Sequence, residues 1–586
     1  MDTPQQPSRI IRGCNRVRGY AGYLLVLAAL SLLCTMAEST NAAFSFDEGA
    51  VRFGAYLAAF AVVFLGCEHL AARMPSRNAG ALSRVRIPHI LAFAAIIFIC
   101  WMPLLDTLYP GVTFSDTSSQ LCQFFGNPPE FGPYCIVPDS AFSDHHPILD
   151  TLIMGSLVKI GMEHGSANDG FMLLVIVQSV LLALSISRTI CHVAVRFSWR
   201  PPSLAIAIAF FSLFPVFPFM AASPVKDTLF IIVFLAFIVE FSRIALSNSP
   251  RLPWLAGLFC CTVLLALTKR TGLYVAALCL LGALVLKRAL RKQLLACMAP
   301  AIVLAAVVFP AVVFPLLDVS PGSKNEMLGF FYQQTARYVR EYPEEVAPDE
   351  REVIDRLLNY ETLAKRYQKD IVDMVNHGKG VDIDPSTEMV RAYAQVFATQ
   401  LLRHPENNVQ AILDLESGWF DLSLRYQVAI NYGMADTPEN GVPDISRPES
   451  MRARAEHAVE ALNRTATDRL LGPLFTPALY TTLIPAFCLL LSFRIRRLTK
   501  ERLVALLPVL ASLPLLWVSP VSDASSNLEA LRYTLPFLYT APFTLAFALG
   551  RINENAGGPL DRSIREHVEE AVNSEPGANP PSVTSA

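Results

Sequence analysis

The stretch that decides the fold is residues 107–147, TLYPGVTFSDTSSQLCQFFGNPPEFGPYCIVPDSAFSDHHP, which holds neither Lys nor Arg. It does hold Asp116, Asp139, Asp144, His145 and His146, and apolar runs long enough to cross a bilayer flank it. A loop between spans that lacks basic residues falls on the non-cytoplasmic face by the positive-inside rule. Its acids and histidines are therefore expected outside the membrane.

Working outward, the 586-residue chain is 53% hydrophobic and only 17% charged, which places it in the membrane class. A net charge of −2 gives no sign of nucleic-acid binding. Most of the cysteines sit within apolar runs, where they act as small hydrophobes. Cys122 and Cys135 are close together in the loop, placed either to form a disulfide in an oxidising compartment or to stand as two thiols. No Cys/His spacing matches a zinc site.

The expected architecture is all-α, a polytopic membrane protein with about twelve transmembrane helices and a small extracytoplasmic helical domain. Spans are expected at 20–38, 51–71, 88–107, 168–187, 203–222, 227–246, 252–268, 271–287, 295–316, 473–493, 503–518 and 529–549. The apolar but short segment 147–162, containing Asp150 and Lys159, is expected as an interfacial helix. Alternate short loops and the N-terminus then collect 22 basic residues on one side. The opposite short loops hold Lys159, Lys226, Lys269 and Arg270. This bias puts both termini in the cytoplasm.

The resulting division is a cytoplasmic N-terminus (1–19), three helices (20–107), an external loop with the interfacial helix (108–167) and helices 4–9 (168–317). An external helical domain (318–472), helices 10–12 (473–550) and a disordered cytoplasmic tail (551–586) follow.

Lys226 in Ser223-Pro-Val-Lys-Asp227, Lys269-Arg270 in a very short turn, and Arg532-Tyr533 at the start of the last span all fall at the outer interface. Cations there suit an anionic headgroup, and Arg grips phosphate oxygens with two parallel bonds. Snorkelling and ordinary phospholipid contact are the plainer readings. Asp116 reads as a base, a ligand for a divalent ion, or a helix N-cap. His145 and His146 read as acid/base, metal-binding or phosphate-bonding groups, or as packing at the interface beside a helix capped by Asp144 or Ser143. Glu326, Gln333 and Arg337 share one predicted helix and are candidates for the roof of the site, against a solvated helix face.

The ordered set Pro110 to Asp116, Ser143-Asp-His-His-Pro147, Lys226-Asp227, Lys269-Arg270-Thr-Gly-Leu-Tyr274, Glu326…Gln333-Gln-Thr-Ala-Arg337, Arg403-His-Pro405 and Arg532-Tyr533 resembles a family of polytopic bacterial membrane proteins. That family lacks an assigned function and is itself similar to the GT-C glycosyltransferases. The resemblance, over roughly residues 85–545, implies an outward-facing site at a bacterial plasma membrane. Its partners would be membrane lipids, a polyprenyl-linked sugar donor and a cell-envelope acceptor. Asp116 would be the base or a metal ligand, and His145 and His146 would lie near the sugar. Lys226, Asp227, Lys269, Arg270, Arg532 and Tyr533 would hold the donor phosphate. A divalent cation, Mg²⁺ or Mn²⁺, is the cofactor such enzymes suggest. Ser115 precedes Asp116 where some GT-C loops pair two acids, a departure that weakens a metal-dependent mechanism. Rival readings are a transporter or flippase, with Glu68 and Glu240 as its intramembrane charges, and a non-catalytic envelope assembly protein.

Overall fold

The computed structural model describes residues 9–42, 45–73, 80–126, 142–247, 250–322, 324–376, 385–428, 444–519 and 528–552. Cys135 lies outside them, as do the side chain of Glu326 and the tail from 553. The described chain is α-helical apart from one pair of two-residue strands and an isolated bridge. Among the described residues, six helices are long and apolar enough to cross a membrane: Tyr20–Thr40, Phe46–Ala71, Ile87–Thr107, Ala167–Arg196, Lys226–Ala245 and Arg288–Leu317. The first three lie within α1 (Arg9–Asn41), α2 (Phe46–Arg73) and α3 (Ile87–Thr107).

Helix α4 (Ser115–Phe124) and strand β1 (Phe142–Ser143) follow the cis Tyr109–Pro110 bond. Helix α5 (Ile148–His164) then folds back on α6 (Ala167–Arg196). The expected interfacial segment is thus a helix packed along the first turns of α6. Small residues permit that approach, because a Cβ on Gly161 would lie 2.2 Å from the Gly170 Cα. At 30 residues α6 is about 45 Å long. That exceeds a hydrocarbon core of about 30 Å.

The expected span 203–222 is broken in two, as α7 (Pro201–Leu213) and α8 (Val216–Ala221), with Pro215 at the break. Helix α9 (Lys226–Ala245) runs through the centre of the bundle, with most of its length buried. Helices α10 (Leu252–Thr268) and α11 (Arg270–Leu286) are joined by the single extended residue Lys269. A Cβ on Gly272 would meet the Leu265 carbonyl at 2.0 Å, so this tight hairpin requires glycine. Helix α12 (Arg291–Val303) passes through a π-helical turn into α13 (Phe309–Leu317), none of whose residues is buried.

Strand β2 (Val319–Ser320) pairs in parallel with β1, Phe142 opposite Val319 and Ser143 opposite Ser320. The segment expected as one external domain divides between two cores. Helices α14 (Asn325–Glu341), α15 (Pro348–Leu358), α16 (Tyr360–Arg366), α17 (Asp373–Asn376) and α18 (Thr387–Arg403) surround Tyr332, Ile354, Leu363 and Tyr393. Beyond α19 (Pro405–Glu416), Trp419, Tyr426, Ile445 and residues of α20 (Glu449–Thr467) belong instead to the core of the helical bundle. Helices α21 (Ile484–Arg494), α22 (Lys500–Leu516) and α23 (Leu528–Leu549) complete the bundle.

One buried arginine fastens the segment before α20 to the bundle. Arg447 donates to the carbonyls of Leu108, Tyr109 and Gly111 at 2.9–3.2 Å. These carbonyls belong to the turn that launches α4, and Gly111 sits there at φ +142° with Phe171 and Val175 packed where a Cβ would go.

Two outcomes follow from this packing. Gly161→Ala forces α5 off α6 and costs about 1–3 kcal/mol of stability, read as a lowered thermal midpoint of the solubilised protein. At the α18–α19 junction, His404 has Glu345 at 2.9 Å on Nε2 and Glu406 at 2.7 Å on Nδ1, with Tyr342 stacked on its ring. The hydrogen bonds to Glu406 and Glu345 raise its pKa. The stabilising clamp is therefore complete below the unfolded value of about 6.5. It is lost as pH rises through the higher folded value. Amide protection factors at this junction, corrected for the base-catalysed intrinsic rate, are expected to be larger at about pH 6 than at about pH 9, a difference that His404→Gln abolishes.

Candidate functional site

Four segments far apart in the chain deliver charged groups to one place at the end of the bundle that carries the helical domain. The turn before α4 supplies the first. Thr117 Oγ1 accepts from the Phe114 amide and donates to the Pro224 carbonyl, fastening the start of α4 to the strand-like residues before α9. Thr228 Oγ1 in turn donates to the Ser223 carbonyl at 3.0 Å, shaping the Ser-Pro-Val-Lys-Asp corner. Asp116 and Lys226 are thereby brought together, 2.8 Å apart.

The other two segments are the α10–α11 turn and the first turns of α23. With one residue between two helices, Lys269 points its ammonium at Asp227 Oδ1. Arg532 bridges both carboxylates, with Nε at 2.8 Å from Asp227 Oδ2 and Nη2 on Asp116 Oδ2. The Asp227 and Arg532 side chains are only 3% and 6% exposed, while Asp116 keeps 17% of its surface open. Aromatic faces complete the wall. Phe114 lies 5.3 Å from the Arg532 guanidinium carbon, and Tyr533 lies 5.1 Å from the Lys269 ammonium. Both distances suit cation–π attraction.

His146 is the neutral member. The Lys226 ammonium donates to its Nδ1 at 3.1 Å, and the His145 ring meets it edge-on at 4.5 Å. Burial, then the Lys226 charge, push its pKa well below the ordinary imidazole value against the opposing pull of Asp116. With Nδ1 accepting, the proton belongs on Nε2. For Asp116 burial raises the pKa. The Arg532 and Lys226 charges outweigh that and hold the carboxyl well below the usual range. Arg270 lies one step outward, 43% exposed, donating to the Asp144 carbonyl at 2.6 Å and its carboxylate at 3.1 Å. A Cβ on Gly322 would collide with the Arg270 guanidinium at 2.3 Å, so that glycine leaves the arginine its place.

The structure thus gathers Asp116, His145, His146, Lys226, Asp227, Lys269, Arg270, Arg532 and Tyr533. It does not bring in the expected roof. Arg337 donates to Asn407 at 2.8 Å and faces Asp414 at 3.6 Å, and Gln333 donates to the Gln368 carbonyl, all within the helical domain. Glu68 pairs with Arg494, and Glu240 pairs with Arg188 and Arg243. Glu240 lies 13 residues along α9 from Asp227, a rise of about 20 Å.

Sequence reasoning passed over Asp150. It is fully buried in the first turn of α5. Neither of its carboxyl oxygens has a hydrogen-bond partner among the described residues.

Among the described residues, three cations meet two carboxylates in the inner cluster. A divalent metal does not fit these donors, because both carboxylates already face ammonium or guanidinium groups that would repel it. The donor set matches an anion.

A family described as one of unknown function, DUF6020, matches residues 134–569. Every member of the cluster except Asp116 lies within that range. No curated protein and no solved structure matches the chain.

Removing one partner from a buried ion network leaves the others uncompensated, at a cost of about 3–5 kcal/mol. Asp227→Ala is expected to lower the thermal midpoint accordingly. The double variant Asp227→Ala/Lys269→Met is expected to recover part of the loss.

Proposed function

The chain belongs to the DUF6020 family of unknown function, and we propose that it is a GT-C-like membrane glycosyltransferase. It moves a sugar from a polyprenyl-phosphate carrier to a cell-envelope acceptor at the outer face of a bacterial inner membrane. In this reading the six long helices are joined as spans by α7–α8, α10, α11, the helix ending at Arg494, α22 and α23, giving twelve. Both termini then lie in the cytoplasm, and the site opens outward at headgroup depth.

The observation that carries the proposal is the convergence, among the described residues, of three cations from α9, the α10–α11 turn and α23 on Asp116 and Asp227. A buried ion network is a poor way to stabilise a fold. An anion bound among the three cations gives the cluster a purpose.

As it stands, Asp116 is a weak base, because Arg532 and Lys226 stabilise its charged form. The donor phosphate reverses this. Its oxygens take over Arg532, Lys226 and Lys269, and the freed Asp116 rises in basicity toward the range a general base needs. Asp116 then accepts the proton of the acceptor hydroxyl. The hydroxyl oxygen attacks the anomeric carbon from the face opposite the phosphate, and the carbon–oxygen bond to phosphate breaks. The electron pair leaves on the phosphate, where the three cations hold the charge. One displacement inverts the anomeric centre. Neutral His146 offers its Nε2–H to an oxygen of the donor headgroup, with His145 buttressing the ring. Arg270 is the first cation an arriving headgroup meets.

Transport is less well supported, since Glu68 and Glu240, the charges it would use, are each paired within the protein. Asp116→Asn and Arg532→Ala proteins that reach the membrane folded are expected to lose at least about a hundredfold in glycan product. Unchanged product from both variants would dismiss the enzyme reading in favour of a scaffold.

A further inference from the structure

Met327 and Phe331, one turn apart on α14, are large apolar side chains that the helical domain leaves open. Met327 is 68% exposed and Phe331 39%, although Phe330 and Phe397 meet the Phe331 ring at 5.6 and 5.2 Å. Met374 on α17 is 44% exposed. Exposed apolar residues scattered singly need no explanation, whereas a group of them at one end of a domain marks a contact.

Two tethers fix which end this is. A Cβ on Gly322 would lie 3.0 Å from the Asp144 carbonyl and 2.3 Å from the Arg270 guanidinium, so the chain there still touches the mouth of the site. From Gly322 to Asn325, where α14 starts, the chain spans at most about 11 Å. Helix α14 therefore begins beside Arg270, the first residue of the apolar helix α11. The second tether is Lys369, whose ammonium donates to the carbonyl of Thr40, the last residue of the apolar helix Tyr20–Thr40. Val372, just beyond it, packs on α14, since a Cβ on Gly329 would meet its Cγ1 at 2.8 Å. Met327, Phe331 and Met374 thus share the end of the domain that the bundle holds.

Charge orients the domain the same way. Lys324 and Lys369 lie at the tethered end, the former donating to the Pro385 carbonyl at 3.0 Å. The opposite end of α14, about 24 Å away, carries exposed Glu341, with Glu344 and Glu345 just after it. Helix α15 adds exposed Asp349, Glu352 and Asp355. Cations next to apolar side chains suit a phospholipid headgroup layer, and the acids suit water.

We infer that the helical domain rests on the membrane through Met327, Phe331 and Met374, which enter the headgroup–acyl boundary of the phospholipid beside the site. Lipid is the occupant because these side chains continue the surface of α13, none of whose residues is buried and which leads into α14 through β2. This goes beyond the sugar-transfer reading and stands whether or not the site takes a phosphate.

The test uses the full-length protein in its own membrane. Met327, Met374 and, as a reference on the acidic side, Glu352 are each replaced in turn by the photo-crosslinker p-benzoylphenylalanine. A thermal midpoint equal to that of the wild type identifies the variants that are folded, and their irradiation products are weighed by mass spectrometry. Phospholipid adducts are expected at positions 327 and 374 in yields at least about fivefold above those at 352. Crosslinks from 327 or 374 to a second copy or to another protein in place of lipid would overturn the inference. Lipid yields at those positions no higher than at 352, or no adduct at all, would overturn it equally.

Discussion

Asp227 gives one oxygen to Lys269 and the other to Arg532, at the head of the helix that runs through the centre of the bundle. On that pair of contacts depend the positions of the α10–α11 turn, the last long helix and, through Arg532, Asp116. Three ammonium or guanidinium groups crowded together repel one another strongly when taken out of water. The two aspartates allow them to share a site. In the proposed reading an anionic ligand supplies a further partner for these cations.

The scaffold explains why such a cluster can persist. Arg447 pins the turn before α4, Thr117 ties that turn to Pro224, and Lys269 is held by helices on both sides. Each charged side chain therefore projects from a constrained backbone, which limits the reorganisation needed when a ligand arrives. The β1–β2 pairing links the His145–His146 segment to the root of the helical domain.

Much of the site was legible in the sequence because charge is conspicuous in a chain this apolar. Lys226, Lys269 and Arg532 stood out by breaking the segregation of basic residues, and Asp116 and His146 by lying in a loop without Lys or Arg. Asp150 was missed for the opposite reason: one acid in the first turn of a helix is ordinary, and only burial without a partner makes it unusual. Gln333 and Arg337 were misplaced because helical spacing shows that two residues share a face but not what that face packs against. Their partners, Gln368, Asn407 and Asp414, are distant in sequence. The interrupted span at Phe214 and Pro215 was hidden by uniform hydrophobicity, which measures length in apolar residues and is blind to a helix that stops and restarts.

The most direct measurement is native mass spectrometry of the protein released from its own membrane with bound lipid retained. The account predicts a phosphate-bearing isoprenoid on the wild type that is lost when Lys269 and Arg532 are both replaced by Gln. Recovery of bulk phospholipid alone, in equal amounts on the wild type and the double variant, would contradict it.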